Sequence, residues 1–328
     1  MPSIKPWVGL FVLIAAMGTA QAATPGKTAI TQLGFRDGQR CVLHEDGAVL
    51  CVHESPYEGD LDEKASYRPV TIVTRGATQL AVGGFASCAI VAGALDCWSG
   101  LPATGTKAKA SRNVIASGVT EVAVGEHHAC AAARGAALCW GSDNLGQAGH
   151  YDTASDRSES RPWPVIAQGV TRVAAGGDVS CAVADGALWC WGDTGLASDP
   201  DTAPGDHPPV RVFAQGTTEV AVGSKHACAI VESALWCWGD NSHGQVGIGM
   251  SAEHALQSHG LTPRNSPEPF ADGAQRCRWQ DWSYLACRVE QPVRILASGV
   301  SAIFARGDET CALKDGTLMC WEAMHTVS

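Results

Sequence analysis

The chain has 328 residues, with 33 acidic against 23 basic side chains, 17% charged residues, 45% hydrophobic residues, 37 glycines, 14 cysteines and 11 tryptophans. So few charges among so many apolar groups exclude a disordered chain, and a net charge of −10 without a basic block speaks against nucleic acid and anionic membrane surfaces as partners. The skew toward Trp, beside six Phe and four Tyr, points to one local structure that keeps reusing it.

The chain opens with Lys5, then the apolar run Trp7 to Met17, then Ala20-Gln21-Ala22. This reads as a signal peptide over residues 1–22, cleaved after Ala22. The run is too short for a membrane span, and no later stretch reaches 18 apolar residues. The expectation is an exported protein, periplasmic or secreted, with no membrane anchor and with thiols free to oxidise.

Beyond it the cysteines fall into seven local pairs: Cys41/Cys51, Cys88/Cys97, Cys130/Cys139, Cys181/Cys190, Cys228/Cys237, Cys277/Cys287 and Cys311/Cys320. Ten residues before the first cysteine the chain reads Thr31-Gln-Leu, Thr78-Gln-Leu, Thr120-Glu-Val, Thr171-Arg-Val, Thr218-Glu-Val and Ser301-Ala-Ile. In the sixth unit Pro267-Glu268-Pro269 stands there instead, which interrupts a strand ladder. First cysteines lie 47, 42, 51, 47, 49 and 34 residues apart, about the period of a four-stranded propeller blade.

Each unit reads as β structure. In the fifth, "TEVAVG", "HACAIV" and "ALWCWGD" are three β-rich runs, and a fourth run precedes the next unit, such as Pro209-Val-Arg-Val-Phe or Pro292-Val-Arg-Ile-Leu. The fold expected is all-β: a seven-bladed β-propeller filling residues 23–328 as a single domain. Its repeats start near residues 29, 76, 118, 169, 216, 267 and 299.

Hairpin geometry tests the cysteine spacing. With Asp185-Gly186 as a two-residue turn, counting outward pairs Ala184 with Ala187 and places Cys181 opposite Cys190, on a non-hydrogen-bonded pair where side chains approach most closely. The same count centres the other hairpins on Asp315-Gly316, Ala92-Gly93 and Arg134-Gly135. The first unit has a three-residue loop, Glu45-Asp46-Gly47, and the sixth has Asp281-Trp282-Ser283 without glycine. One cross-strand disulfide per blade is expected. Structural zinc is the competing reading, but its usual Cys-x2-4-Cys pairs are missing.

Two units continue as "CWGSDNLGQAG" (139–149) and "CWGDNSHGQVG" (237–247), after "VAVGEHHACA" and "VAVGSKHACA". These Gly-x-x-His-x-Cys-Ala and Cys-Trp-Gly-x-Asn-x-x-Gly-Gln signatures resemble the regulator of chromosome condensation repeat family, in an exported, bacterial, cysteine-paired form. Weaker copies extend the likeness over roughly residues 28–324, although only His128 and His226 hold the motif histidine position. The resemblance implies a seven-bladed propeller. The family's eukaryotic namesake activates a nuclear small GTPase on chromatin; an exported acidic chain would meet neither, so that role is not transferred. The chain is also distantly similar to the propeller-type β-lactamase inhibitor protein, which makes a protein-binding disc the expected function. Only eight residues follow Cys320, so the last blade lacks its own fourth strand, and one terminus is expected to close it.

Alternating strand direction puts the loops between strands one and two on the same face as those between strands three and four, opposite the tight turns. The candidate binding residues on that face are Phe85, Glu126, His127, Asp178, Lys225, Asp308 and Glu309, with the long connections 53–68, 142–162, 192–207 and 240–268. The acidic loop with Glu54, Glu58, Asp60, Asp62 and Glu63 lacks a calcium-loop pattern. His243, His254 and His259 with Glu253 have loop spacing, and no metal or cofactor is expected from them. The His127-His128 pair has no nucleophile or carboxylate partner in sequence, so no catalytic residue is assigned and the chain is not expected to be an enzyme. Trp189, Trp191, Trp236 and Trp238 alternate with cysteines and are expected to pack between blades. A monomer binding an unidentified protein is the leading reading. A lectin-like module would need exposed Trp on the looped face, and a propeller hydrolase or lyase would need acids and His converging at the central channel.

Overall fold

The computed structural model describes residues 29–36, 39–53, 69–98, 112–150, 158–194, 208–249, 270–272, 274–280 and 284–321. The segment read as a signal peptide, the acidic loop, His254, His259, Glu253, the turn at 281–283 and both segments expected to close the last blade lie outside them. The chain divides into two compact units, residues 1–122 and 123–328.

In the first unit, β1 (Ile30–Arg36), β2 (Gln39–His44), β3 (Val49–His53) and β4 (Val70–Val73) form an antiparallel sheet in chain order. A second follows with β5 (Ala77–Val82), β6 (Ser87–Val91), β7 (Ala94–Trp98) and β8 (Arg112–Ile115). Cys41, Leu43, Val49 and Cys51 of the first pack with Ala77, Leu80, Ala89 and Trp98 of the second. The Gln of each Thr-Gln-Leu run ties sheets together through backbone: Leu80 N–H donates to Gln32 Oε1 at 2.7 Å. Gln79 accepts from Val122 N–H at 3.0 Å and donates to Val122 O at 3.1 Å.

The unit boundary falls within β9 (Val119–Val124), which leads into β10 (His128–Ala133), β11 (Ala136–Ser142) and β12 (Ser158–Ile166). A fourth sheet has β13 (Val170–Ala175), β14 (Val179–Ala184), β15 (Ala187–Gly192) and β16 (Val210–Phe213). The register predicted for its central hairpin is the one observed: Ala184↔Ala187, Val183↔Leu188, Ala182↔Trp189 and Cys181↔Cys190. Asp185 and Gly186 sit at φ 50° and 76°, the left-handed pair that a two-residue turn of this hand requires.

The remaining strands correct the blade count. β17 (Thr217–Val222), β18 (His226–Val231) and β19 (Ala234–Asp240) are followed by β20 (Phe270–Asp272), β21 (Gln275–Gln280) and β22 (Tyr284–Leu296) in one six-stranded sheet of order β17-β18-β19-β22-β21-β20. β23 (Val300–Arg306), β24 (Glu309–Lys314) and β25 (Thr317–Trp321) make a three-stranded sheet. Among the described residues there are therefore six blade sheets, and the expected seven-bladed propeller is a six-bladed one. The sixth repeat forms its hairpin and its disulfide but not a blade, so the expected one disulfide per blade becomes two in the fifth sheet. Pro267-Glu268-Pro269 replaces the lead-in that elsewhere starts an inner strand, and proline cannot donate to a ladder. The continuous strand β22 then does two jobs: Cys287 pairs with Cys277 across the hairpin, while Val293 pairs with Cys237 as the fifth blade's outer strand. Among the described residues the last blade has three strands.

All seven cysteine pairs are disulfide-bonded, with Cα atoms 4.0 to 4.1 Å apart: Cys41–Cys51, Cys88–Cys97, Cys130–Cys139, Cys181–Cys190, Cys228–Cys237, Cys277–Cys287 and Cys311–Cys320. The hairpins counted on Ala92-Gly93, Arg134-Gly135 and Asp315-Gly316 likewise place Cys88 opposite Cys97, Cys130 opposite Cys139 and Cys311 opposite Cys320. The pairs are not equivalent on their outer side, which the repeat pattern did not foresee. Cys97 is half-buried, because its outer neighbour is Arg112, the first residue of the four-residue strand β8. Cys139 is fully buried beside Trp163, and the ladder to β12 slips between Cys139 and Gly141. Pro162 and Pro164 flank Trp163 there, and prolines are tolerated only in such an outer strand or at a bulge. Cys320 is exposed on β25, which has no outer strand among the described residues.

Strand alternation gives the inner disulfides their place: in "HACAIV" the residues His226, Cys228 and Ile230 share one face, and Ala227 and Ala229 the other. Cys228 and Cys237 accordingly pack with Val300, Ile303 and Ala312 of the following sheet. Ala227, Ala229 and Trp238 pack with Cys181 and Cys190 of the preceding one. Each of these two disulfides is thus part of the apolar layer between neighbouring sheets, facing alanines small enough to leave it room.

Candidate functional site

The motif residues explain themselves as a relay between sheets. His128 Nε2 lies 2.7 Å from Ser180 Oγ, which donates to Gln147 O at 2.8 Å; Trp191 Nε1 donates to the same carbonyl at 3.0 Å. His226, Thr310, Gln245 and Trp321 repeat this with distances of 2.7, 2.8 and 3.0 Å. Because the hydroxyl donates onward, the histidine must donate to it, which fixes the Nε2–H tautomer. Burial holds His128 down at about 3, with His127 adding to it, so the ring is neutral. His226 is held at about 4 by burial, against the pull of Asp240. Both histidines are fully buried within the relay. In the first unit Gln39, two residues before Cys41, donates to Ser87 Oγ at 3.2 Å and fills the same place.

The Gly-Gln tail closes the loop that presents the accepting carbonyl. Gln147 Oε1 accepts from Leu145 N–H at 2.8 Å, and Asp143 accepts from Ala148, Gly149 and His150 N–H at 2.6, 3.0 and 2.9 Å. Burial pushes the Asp143 carboxyl up, and those backbone donors pull it back.

Above the relay, the loops between first and second strands meet edge to edge. Glu126 N–H donates to Gly176 O at 3.0 Å, Gly177 to Gly223 at 3.1 Å, Asp178 to Ser224 at 3.2 Å, and Ser224 to Gly307 at 2.8 Å. The third-to-fourth-strand loops join from the same side: Ser142 N–H donates to His127 O at 2.8 Å, Asp193 to Asp178 at 2.9 Å, and Asp240 to Lys225 at 2.8 Å. So close an approach needs glycine, since a Cβ on Gly125 or Gly176 would run into the carbonyl oxygen of Gly176 or Gly223.

This rim brings four of the seven predicted residues together. Glu126, His127 and Lys225 are exposed and Asp178 is half-buried. Burial pushes the Asp178 carboxyl up; Lys225 and His127 draw it down, while Asp193 and Glu126 push it further up. The sequence reading missed Ser224, whose hydroxyl donates to Glu126 Oε1 at 2.8 Å. It also missed Arg288, paired with Asp193 at 2.6 Å. Asp308 sits further along, 3.4 Å from His243, and Glu309 is exposed at the start of β24. Phe85 is half-buried in the β5–β6 loop of the first unit.

Among the described residues Trp163, on the outer strand β12, is 43% exposed, while the strand Trp residues beside the cysteines are packed away. Trp191 and Trp238 are fully buried, Trp98 and Trp140 nearly so. Trp189 and Trp236 pack against the intersheet clusters, and an Arg guanidinium lies 5.9 Å from each ring. Among the described residues no helix is long and apolar enough to cross a membrane.

Antiparallel four-stranded sheets repeated along the chain define a β-propeller. Residues 218–245 match the family model for the Regulator of chromosome condensation (RCC1) repeat. The fold is similar to that of yeast RCC1 (Prp20) bound to Kap60, at TM-score 0.65 and 19% identity over 89% of this chain and 70% of that one. It is similar to Prp20p from Saccharomyces cerevisiae, studied for binding to Gsp1p and histones, at TM-score 0.64 and 18% identity over 89% and 72%. Human WBSCR16 gives TM-score 0.62 and 17% identity over 88% and 72%. Comparison with curated proteins gives no match. The chain is thus a β-propeller with paired cysteines that contains an RCC1-like repeat at residues 218–245. The expected periplasmic or secreted location is overturned by the comparison with yeast RCC1 (Prp20) and human WBSCR16. The bacterial exported form and the inhibitor similarity drop out with it.

Proposed function

We propose that the chain is a non-catalytic protein-binding propeller whose partner docks on the rim of residues 123–328, through Glu126, His127, Asp178 and Lys225, with Asp308 and Glu309 at its edge. Phe85 holds the corresponding loop position in the first unit. One observation carries the reading: a ladder of backbone hydrogen bonds fixes these loops to one another, so exposed side chains of both signs stand on a preorganised surface that loses little entropy on binding. Prp20p was studied with Gsp1p and histones, and a protein partner is the corresponding reading here. Mixed charge on a rigid rim suits a partner segment carrying both signs, recognised by register and orientation.

The test is capture from extract of the producing cell with the oxidised chain, in parallel with a Glu126→Ala, His127→Ala, Lys225→Ala variant whose unfolding midpoint is unchanged. A protein held by the first and lost by the second supports the proposal. Equal capture by both, or retention on a glycan array with no protein captured, overturns it, the latter in favour of a lectin.

A further inference from the structure

Two stretches of the second unit share one scaffold but not one chemistry. The loop 237–247 and the loop 139–149 align residue by residue, each closed by its Gln and latched by the next sheet's hydroxyl and Trp. At three aligned positions the first has Asp240, His243 and Asp308, the second Ser142, Leu145 and Asp178. The second junction shows that the scaffold forms without the added carboxylate and imidazole. At the first junction both are additions to the shared scaffold.

The side chains converge. One carboxylate oxygen from each Asp and one imidazole nitrogen lie within 4.8 Å of one another, and His243 Nδ1 is 3.4 Å from Asp308 Oδ2. That separation is the edge of a tetrahedral site with ligands at about 2.1 Å. Gln245, fully buried, aims its amide at both carboxylates, 3.1 Å from Asp240 Oδ2 and 3.5 Å from Asp308 Oδ1. A neutral amide orients two carboxylates without neutralising them, which is the outer-shell arrangement found behind metal ligands. Both loops are fixed beforehand, through Asp240 N–H to Lys225 O and Ser224 N–H to Gly307 O.

We infer that Asp240, His243 and Asp308 bind a divalent transition cation of the zinc class. Two oxygens and one imidazole suit Zn2+ or Mn2+; calcium and magnesium favour oxygen alone, and the thiolates that favour softer ions are all in disulfides. His243 and Asp308 are each 46% exposed, so the remaining coordination positions open to solvent. Asp240 also accepts from Ser242 Oγ at 2.6 Å through Oδ1, while Oδ2 accepts from Gln245 Nε2 and keeps a second lone pair for an ion. The site stands independently of the docking proposal.

The test is calorimetric titration of the oxidised, chelator-stripped full chain with ZnCl2 and MnCl2, and Co2+ absorption as a coordination signature. The comparison variant is Asp240→Ser with His243→Leu, which installs the residues of the sister junction. His243→Ala alone, at an exposed position, guards against misfolding of the first, and His254→Ala with His259→Ala controls for other histidines. Saturation at one cation per chain, weakened on the order of tenfold or more by either site variant and unchanged in the control, is the expected result. No saturable binding, or binding equal in the site variants, overturns the inference.

Discussion

The relay between sheets makes a quantitative prediction at His128 and Ser180. Replacing Ser180 by Ala leaves a buried Nε2–H without its acceptor, since His128 is fully buried and its Nδ1 has no partner either. Leaving such a donor unpaired costs about 1–3 kcal/mol. Gln147 O keeps the Trp191 donor, so little is lost there. The fourth and fifth sheets offer a native counterpart without the relay: Val179 and Ala227 occupy the matching positions, both 1% exposed and in one apolar cluster. The double variant His128→Val, Ser180→Ala copies that pair and removes both polar partners together, which is far less costly than removing one. Guanidinium unfolding of the oxidised chain at constant m-value measures all four corners of the cycle. The expected coupling is about 1 kcal/mol or more in favour of the double variant; additivity within about 0.5 kcal/mol would refute the relay as an energetic unit.

His128 also sets an acid limit. Its folded value of about 3 lies below the unfolded value near 6.5, so between them the unfolded chain binds a proton the folded chain refuses, and stability falls as pH drops through that window. About 2 kcal/mol should be gone by about pH 5, and denaturation midpoints should show a shallower decline for His128→Val. Glu219 occupies the position of Gln79, accepting from the Ile303 backbone, and burial pushes its carboxyl up. Glu219→Gln supplies the missing donor and should stabilise by about 1 kcal/mol at neutral pH, with the gain shrinking as acid protonates the wild-type side chain. The fifth hairpin turn is Glu232-Ser233 at φ 50° and 66°, with no glycine. Ser233→Gly should raise the unfolding midpoint by about 1 kcal/mol equivalent, and an unchanged or lower midpoint would contradict the strain.

Hairpins, registers and disulfides were legible because each is local: a turn pair and a nine-residue step fix which cysteines meet. What surrounds each disulfide was not, since Cys97 and Cys139 share that step yet differ in burial according to the outer strand each receives. The blade count was hidden too, because it depends on whether a hairpin finds its own inner strand. Pro267 and Pro269 carried that signal, yet the cysteine pair at 277 and 287 keeps its hairpin regular wherever it docks. Arg288 was missed for the same reason, since its place on the rim follows from β22 joining the fifth sheet. Glu126, His127, Asp178 and Lys225 were readable from their offset to the first cysteine, which fixes them at one loop position. The role of Gln39 was hidden because it is chemically unlike the histidine it replaces; only the shared hydroxyl partner in the next sheet reveals it.

The most direct test of the account is hydrogen exchange on the chain alone and with its captured partner. Docking on the rim predicts added protection at residues 125–127, 176–178 and 223–225. Protection confined to the opposite turns, at Arg134-Gly135, Asp185-Gly186 and Glu232-Ser233, would contradict it.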